Sequence, residues 1–197
     1  MLHHKPGFSI TELVIGLSVI GILVVIVYPF FNTTLKQFFV LEQEGLTFGQ
    51  LSMQSQRIAK VLRGAIDVTQ AINTEVTVYA YFAPNDTYVS LIHYYKNAGG
   101  TKLLADITPM TANPPTGTLL TAQKRTATII DNFYSSPSVN TFEYLDAGGT
   151  TLAMPITDLH TIKGARVNLA VPITLPSQSG NDTITIEVSL RNRKTNL

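Results

Sequence analysis

No cysteine occurs in the 197 residues, and only 14% of them are charged. The first absence removes disulfide frameworks, thiolate metal sites, iron–sulfur clusters and cysteine nucleophiles together. Stability must then come from packed apolar surface, and the stretch after Met53, well over one hundred residues, is long enough to enclose a core without cross-links. The charges nearly cancel, 14 Lys and Arg against 13 Asp and Glu for a net +1, so no bulk field draws in nucleic acid or an anionic membrane surface. Catalytic signatures are missing too. There is no G-x-S-x-G elbow. Past the first four residues the only histidines are His93 and His160, without H-x-x-x-H spacing or an adjacent acid pair. Asp146 stands beside glycines and Asp158 before a loop, which is where turn residues sit. Gly16 to Gly21 has P-loop spacing but runs on into Ile22 and Leu23 where Lys and Ser or Thr belong. Neither an enzymatic activity nor a cofactor is expected.

Apolar residues are plentiful, 45% of the chain, and concentrated at one end. From Leu13 to Leu35, 23 consecutive positions carry no charge. As a helix this run would extend about 35 Å against roughly 30 Å of bilayer hydrocarbon, enough to span with modest tilt. His3, His4 and Lys5 precede it, and Glu42 and Glu44 follow a lone Lys36, so the weak positive bias leaves the amino end cytoplasmic. A secretory signal peptide would need small residues in an A-x-A arrangement after the run, whereas that place holds Tyr28, Pro29, Phe30, Phe31 and Asn32. A plain anchor would explain the hydrophobicity but not Glu12 at its edge. A carboxylate there costs on the order of 3 kcal/mol at mid-membrane and less near the interface. An amine freed by a cut between Gly7 and Phe8 would lie about one helical turn away and could neutralise it.

The run Lys5-Pro6-Gly7-Phe8-Ser9-Ile10-Thr11-Glu12-Leu13-Val14 resembles the start of type IV prepilins and of the pseudopilins of type II secretion. The resemblance implies a leader, residues 1–7, removed between Gly7 and Phe8 by prepilin peptidase, N-methylation of Phe8, and a helix that packs in a filament with Glu12 serving assembly. It also implies a proline near Pro29 where the filament form loosens. In physical terms Pro29 removes one intrahelical hydrogen bond and clashes with the carbonyl of Val25, costing about 3 kcal/mol. A kink or melted stretch is expected there, with Asn32, Thr33 and Thr34 competing for backbone hydrogen bonds just beyond. Gly16, Ser18 and Gly21 would permit close helix approach, although no G-x-x-x-G spacing is present.

Leu35, Phe38, Phe39, Leu46, Leu51, Ile58, Leu62 and Ile66 recur mostly at three, four or seven positions, which continues the helix over 32–66 as an amphipathic stretch. Gly45 and Gly49 weaken it locally. Residues 8–31 then form the transmembrane or filament-core part, and 67–197 a β-rich head. In the head 21 threonines lie between Thr69 and Thr195 and alternation of period two takes over. Val76, Val78, Ala80 and Phe82 share one face. Pro84-Asn85-Asp86 turns the chain into Tyr88 to Tyr95, and Asn97-Ala98-Gly99-Gly100 turns it again into Thr101 to Ile107. Pro109, Pro114, Pro115 and Gly117 mark a long surface loop. A second group comprises Val139 to Leu145, Ile162 to Ile173, and Thr183 to Asn192 after a polar loop, Ser177 to Asp182. Ile184, Ile186, Val188 and Leu190 form its apolar face. The fold class is α+β: a long bent amino-terminal helix, membrane-spanning in its first half, packed on an antiparallel sheet in a pilin-like lollipop.

Ile92-His93-Tyr94-Tyr95, Phe142-Glu143-Tyr144-Leu145-Asp146 and Val188-Ser189-Leu190-Arg191-Asn192-Arg193 resemble the larger minor pilins and the J-type minor pseudopilins, with the departure that the cysteine pair many pilins use near the carboxyl end is missing. The implied function is a minor pilin of a type IV pilus. One alternative is a minor pseudopilin of a type II secretion system, and another a membrane-tethered binding domain that never polymerises. The implied partners are other pilin subunits, prepilin peptidase, the inner-membrane assembly platform and, before assembly, membrane lipid. The precursor would sit in the inner membrane, and the assembled form in a surface pilus or periplasmic pseudopilus. Surface pili lost on deletion would mark the pilin, and retained exoproteins with intact pili the pseudopilin. Asn181-Asp182-Thr183 could offer oxygens to calcium but reads chiefly as a turn. Arg191, Arg193 and Lys194, and the pair Lys124-Arg125, lack an aromatic stacking platform and read as solvated charge, so nucleic acid is a disfavoured partner.

Overall fold

The computed structural model describes residues 9–136, 138–174 and 179–191. It is α+β, with one long apolar amino-terminal helix and two antiparallel sheets. Helix α1 runs unbroken over Ile10–Arg63, 54 residues with Pro29 inside it. The chain remains helical on both sides of that proline. Thr33 Oγ1 donates to the Pro29 carbonyl at 2.8 Å and Thr34 Oγ1 to that of Phe30 at 2.9 Å, so the threonines bond back onto the helix and do not unwind it. The chain divides into two compact units between Leu46 and Thr47, inside the 32–66 stretch.

In the second unit the last four turns of α1 supply one wall of the core. Leu51, Ser55, Ile58, Leu62 and then Ala65 are buried at alternating steps of four and three, the spacing that lines one side of a helix. Leu35, Phe38, Phe39 and Leu46, which continue the same pattern upstream, are exposed. Burial of the pattern therefore starts at Leu51. Gly64 ends the helix, its amide donating to the Lys60 and Val61 carbonyls.

The first sheet is an antiparallel meander in the order β1 (Asp67–Ile72), β2 (Glu75–Ala80), β3 (Ser90–Lys96), β4 (Leu103–Pro109), β5 (Arg125–Ile130). The second holds β6 (Phe142–Leu145), β7 (Gly164–Thr174) and β8 (Ser179–Ser189). Val76, Val78, Ile92, Tyr94, Ala105 and Ile107 of the meander share one core with the helix and with Phe142, Tyr144, Val167 and Leu169 of the second sheet. Tyr144 ties the sheets together: its hydroxyl donates to the carbonyls of Ile72 at 3.1 Å and Glu75 at 3.0 Å, on either side of the β1–β2 turn. The Phe142 amide donates to the Asn73 carbonyl in that turn.

Three sequence expectations are corrected. Strands β1 and β5 were not expected, and they flank the meander on both edges. The two strand groups form separate sheets. Asn181, Asp182 and Thr183 are not a turn but part of β8, paired with Pro172, Val171 and Ala170 of β7. The expected turns at Asn97 and Asp146 are present. Asn97 Oδ1 accepts from the amides of Thr101 and Lys102, and Asp146 Oδ1 from those of Gly148 and Thr150. Gly100 and Gly149 take positive φ of 65° and 81° there, the left-handed region that glycine enters without a Cβ penalty.

Candidate functional site: the start of the apolar helix

Glu12 lies in the first turn of α1, and the structure gives it a partner within its own chain. The Ser9 amide donates to Glu12 Oε2 at 3.1 Å, and the Glu12 amide donates to Ser9 Oγ at 3.2 Å. The Leu13 amide then donates to the Ser9 carbonyl at 3.2 Å, the first regular bond of the helix. This is a reciprocal capping box: an S-x-x-E sequence satisfies two amides that a helix start otherwise leaves without partners. A carboxylate at that position is also favoured by the positive end of the helix dipole. The signal was present in the sequence as Ser9 and Glu12 at a spacing of three ahead of an apolar run. Glu12 is therefore more than a charge in search of a neighbour.

Past the cap the helix presents apolar side chains on every side. Ile22, Leu23, Val24, Val25 and Ile26, successive positions that point all the way round a helix, each stand more than half exposed. A helix hydrophobic all round demands an apolar environment that its own chain does not supply. The segment is long and apolar enough to cross a membrane. Its single serine is satisfied internally, Ser18 Oγ donating to the Val14 carbonyl at 2.8 Å. A Cβ placed on Gly16 or Gly21 would meet nothing within 4 Å, so neither glycine is required by packing inside the chain. Both leave shallow places where another helix can approach.

The remaining residues singled out from sequence scatter. Gly7 and Phe8 lie outside the described residues, as do Arg193 and Lys194. Pro29 lies well along the helix from Glu12. His93 Nε2 sits 2.9 Å from Glu75 Oε2 and the ring stacks on Tyr95 at 4.8 Å. Asp158 caps a short 3-10 turn by accepting from the His160 amide. Among the described residues no three His, Asp or Glu side chains gather closely enough to hold a metal.

Lys124 pairs with Asp106 at 2.7 Å, and Asp106 also accepts from Thr126 and Tyr95. Burial alone would raise the Asp106 carboxyl, but hydrogen bonds from Lys124 and Thr126, with the Lys124 charge and the Tyr95 hydroxyl, outweigh it and hold it below the ordinary aspartate value. A depressed folded-state value means the group contributes stability above about pH 4, and that contribution is lost as pH falls through the depressed value. The expected result is that Asp106→Asn is less stable than wild type at neutral pH and that the gap closes below about pH 4. Denaturant titrations of the full chain at several pH values would show it, and a gap constant with pH would contradict it.

No protein-family model matches the chain, and no curated protein is significantly similar to it.

Proposed function

We propose that the chain is a pilin-like subunit: held in the inner membrane by the first part of α1, cut between Gly7 and Phe8, methylated at Phe8, and assembled through that helix into a filament as a minor pilin. The single observation that supports this reading is an all-round apolar helix start headed by one carboxylate, four residues after Phe8 of the Gly7-Phe8 pair. In a bundle of such helices, surface formerly solvated by lipid becomes helix–helix interface, with little hydrophobic gain because lipid is as apolar as leucine. Selectivity must then come from polar contacts, and Glu12 with the new amine of a neighbouring Phe8 is the available pair. A secretion pseudopilus would use the same parts, and prepilin peptidase and an assembly platform are the partners either filament requires.

Mass spectrometry of the chain purified from membranes tests the processing. The expected terminus is Phe8 with one added methyl group, residues 1–7 being absent. An intact Met1 would overturn the reading. It would favour a tethered domain that never polymerises, a second reading supported by the capping box, because that box gives Glu12 a role requiring no neighbour.

A further inference from the structure

Between the last turns of α1 and the segment Tyr81–Pro84 lies a cleft of about 850 Å³. Its floor is apolar, with Val61, Phe82 and Ile186 among its lining, while Arg57, Lys60 and Arg63 stand along the helical wall. These three cations follow one another at steps of three, so successive ones are neighbours on the helix surface. A fourth, Arg125, reaches the same place from β5: the Arg57 guanidinium lies 4.6 Å and that of Arg125 5.5 Å from the centre of the Phe82 ring. Among the described residues none of the four cations has a carboxylate within ion-pair distance. The helix dipole accounts for Lys60 and Arg63 in the last turn. It does not account for two guanidiniums sharing one ring, whose face attracts a cation but cannot neutralise it. The cleft therefore suits a segment that brings apolar side chains for the floor and carboxylates for the rim.

The chain carries such a segment. Phe38, Phe39 and Leu41 are each more than 60% exposed, and Glu42 and Glu44 beside them have no cation within ion-pair distance among the described residues. Phe38 and Glu42 are four apart and Leu41 and Glu44 three apart, so each acid follows an apolar side chain on the same part of the helix surface. Segment and cleft match in both apolar surface and sign of charge, and a second copy of the chain brings that match with it. We infer that the cation-rimmed cleft receives the Phe38–Glu44 segment of a second copy of this chain. This contact rests on the filament reading, which supplies the second copy. It adds a charge-selected register between neighbours that is separate from Glu12.

The absence of cysteine makes the test clean. Two full-length chains with different tags are co-expressed, one carrying Leu41→Cys and the other Gln56→Cys, an exposed position lining the cleft. Oxidation in membranes is expected to give a disulfide-linked heterodimer. Arg57→Glu with Lys60→Glu in the second chain should cut its yield about tenfold, and Glu42→Lys with Glu44→Lys in the first should then restore it to within about threefold. That restoration also shows the reversed chain is folded. Filaments that sediment normally without the cross-link, or with a cross-link indifferent to charge reversal, would overturn the contact and leave the filament reading standing. A charge-dependent cross-link without filaments would support the contact and overturn the filament reading. Neither filaments nor cross-link would overturn both. A cross-link from Gln56→Cys only to a protein of different mass would overturn the assignment of a second copy.

Discussion

Glu12→Gln should leave membrane insertion intact and reduce incorporation into filaments at least about tenfold, the effect of removing one partner from a desolvated charge pair. Glutamine is the informative replacement because it retains an oxygen that can accept from the Ser9 amide and so preserves the capping box while deleting the charge. Glu12→Ala removes both and should lose incorporation to at least the same degree. Ser9→Ala completes the comparison. It weakens the cap by taking away the acceptor for the Glu12 amide, keeps the carboxylate, and should retain most of the incorporation. Quantitative blotting of sheared filaments against membrane-bound protein reads all three. Wild-type incorporation by the glutamine variant would mean that the cap is the whole reason for the acid, and the intersubunit pairing would be wrong.

Leu62→Ala should destabilise the sheet-bearing unit by about 2–5 kcal/mol, whereas Leu46→Ala should change stability by less than about 0.5 kcal/mol. The two leucines occupy the same helix and differ in surroundings: Leu62 is 1% exposed in the shared core, Leu46 64% exposed. Truncating Leu62 leaves a cavity among side chains held by two sheets, and such walls relax only in part. A loss of that size is a large share of the 5–15 kcal/mol typical of a domain, so the melting midpoint should fall by about 10 °C. Thermal melts of the full chain in detergent, followed by near-ultraviolet circular dichroism, would measure both variants. Equal effects at the two positions would mean that the buried stripe does not begin at Leu51.

Why the helix could be read from sequence and part of the sheet could not follows from local patterns. An uncharged run of 23 residues followed by apolar positions at steps of three and four leaves few alternatives to a helix, and the turns at Asn97 and Asp146 advertise themselves through Asn, Asp and Gly. Strand β1 hides because a register shift between Val68 and Gln70 places the exposed Thr69 and Gln70 side by side, which breaks the alternation a reader looks for. Strand β5 hides behind a similar irregularity opposite Leu103 and Leu104. Ser179 to Asp182 reads as loop because Gly, Asn and Asp are poor strand formers, yet pairing with the long partner β7 overrides that preference. The capping box is legible in the S-x-x-E spacing of Ser9 and Glu12. The cation-rimmed cleft was not legible, since Arg57, Phe82 and Arg125 meet only through tertiary structure.

The hydroxyls of Ser18, Thr33 and Thr34 each bond to a carbonyl one turn back, so none of them needs a solvent molecule or a partner chain. Stored in lipid or surrounded by neighbours, these side chains have the same hydrogen bonds, and the move between the two phases leaves that count unchanged. Retrieval of a shed subunit into the bilayer would then meet no barrier from these hydroxyls. If the proposed fibre forms, the balance between lipid and bundle then falls on its charged side chains, Glu12 among them, and not on these hydroxyls.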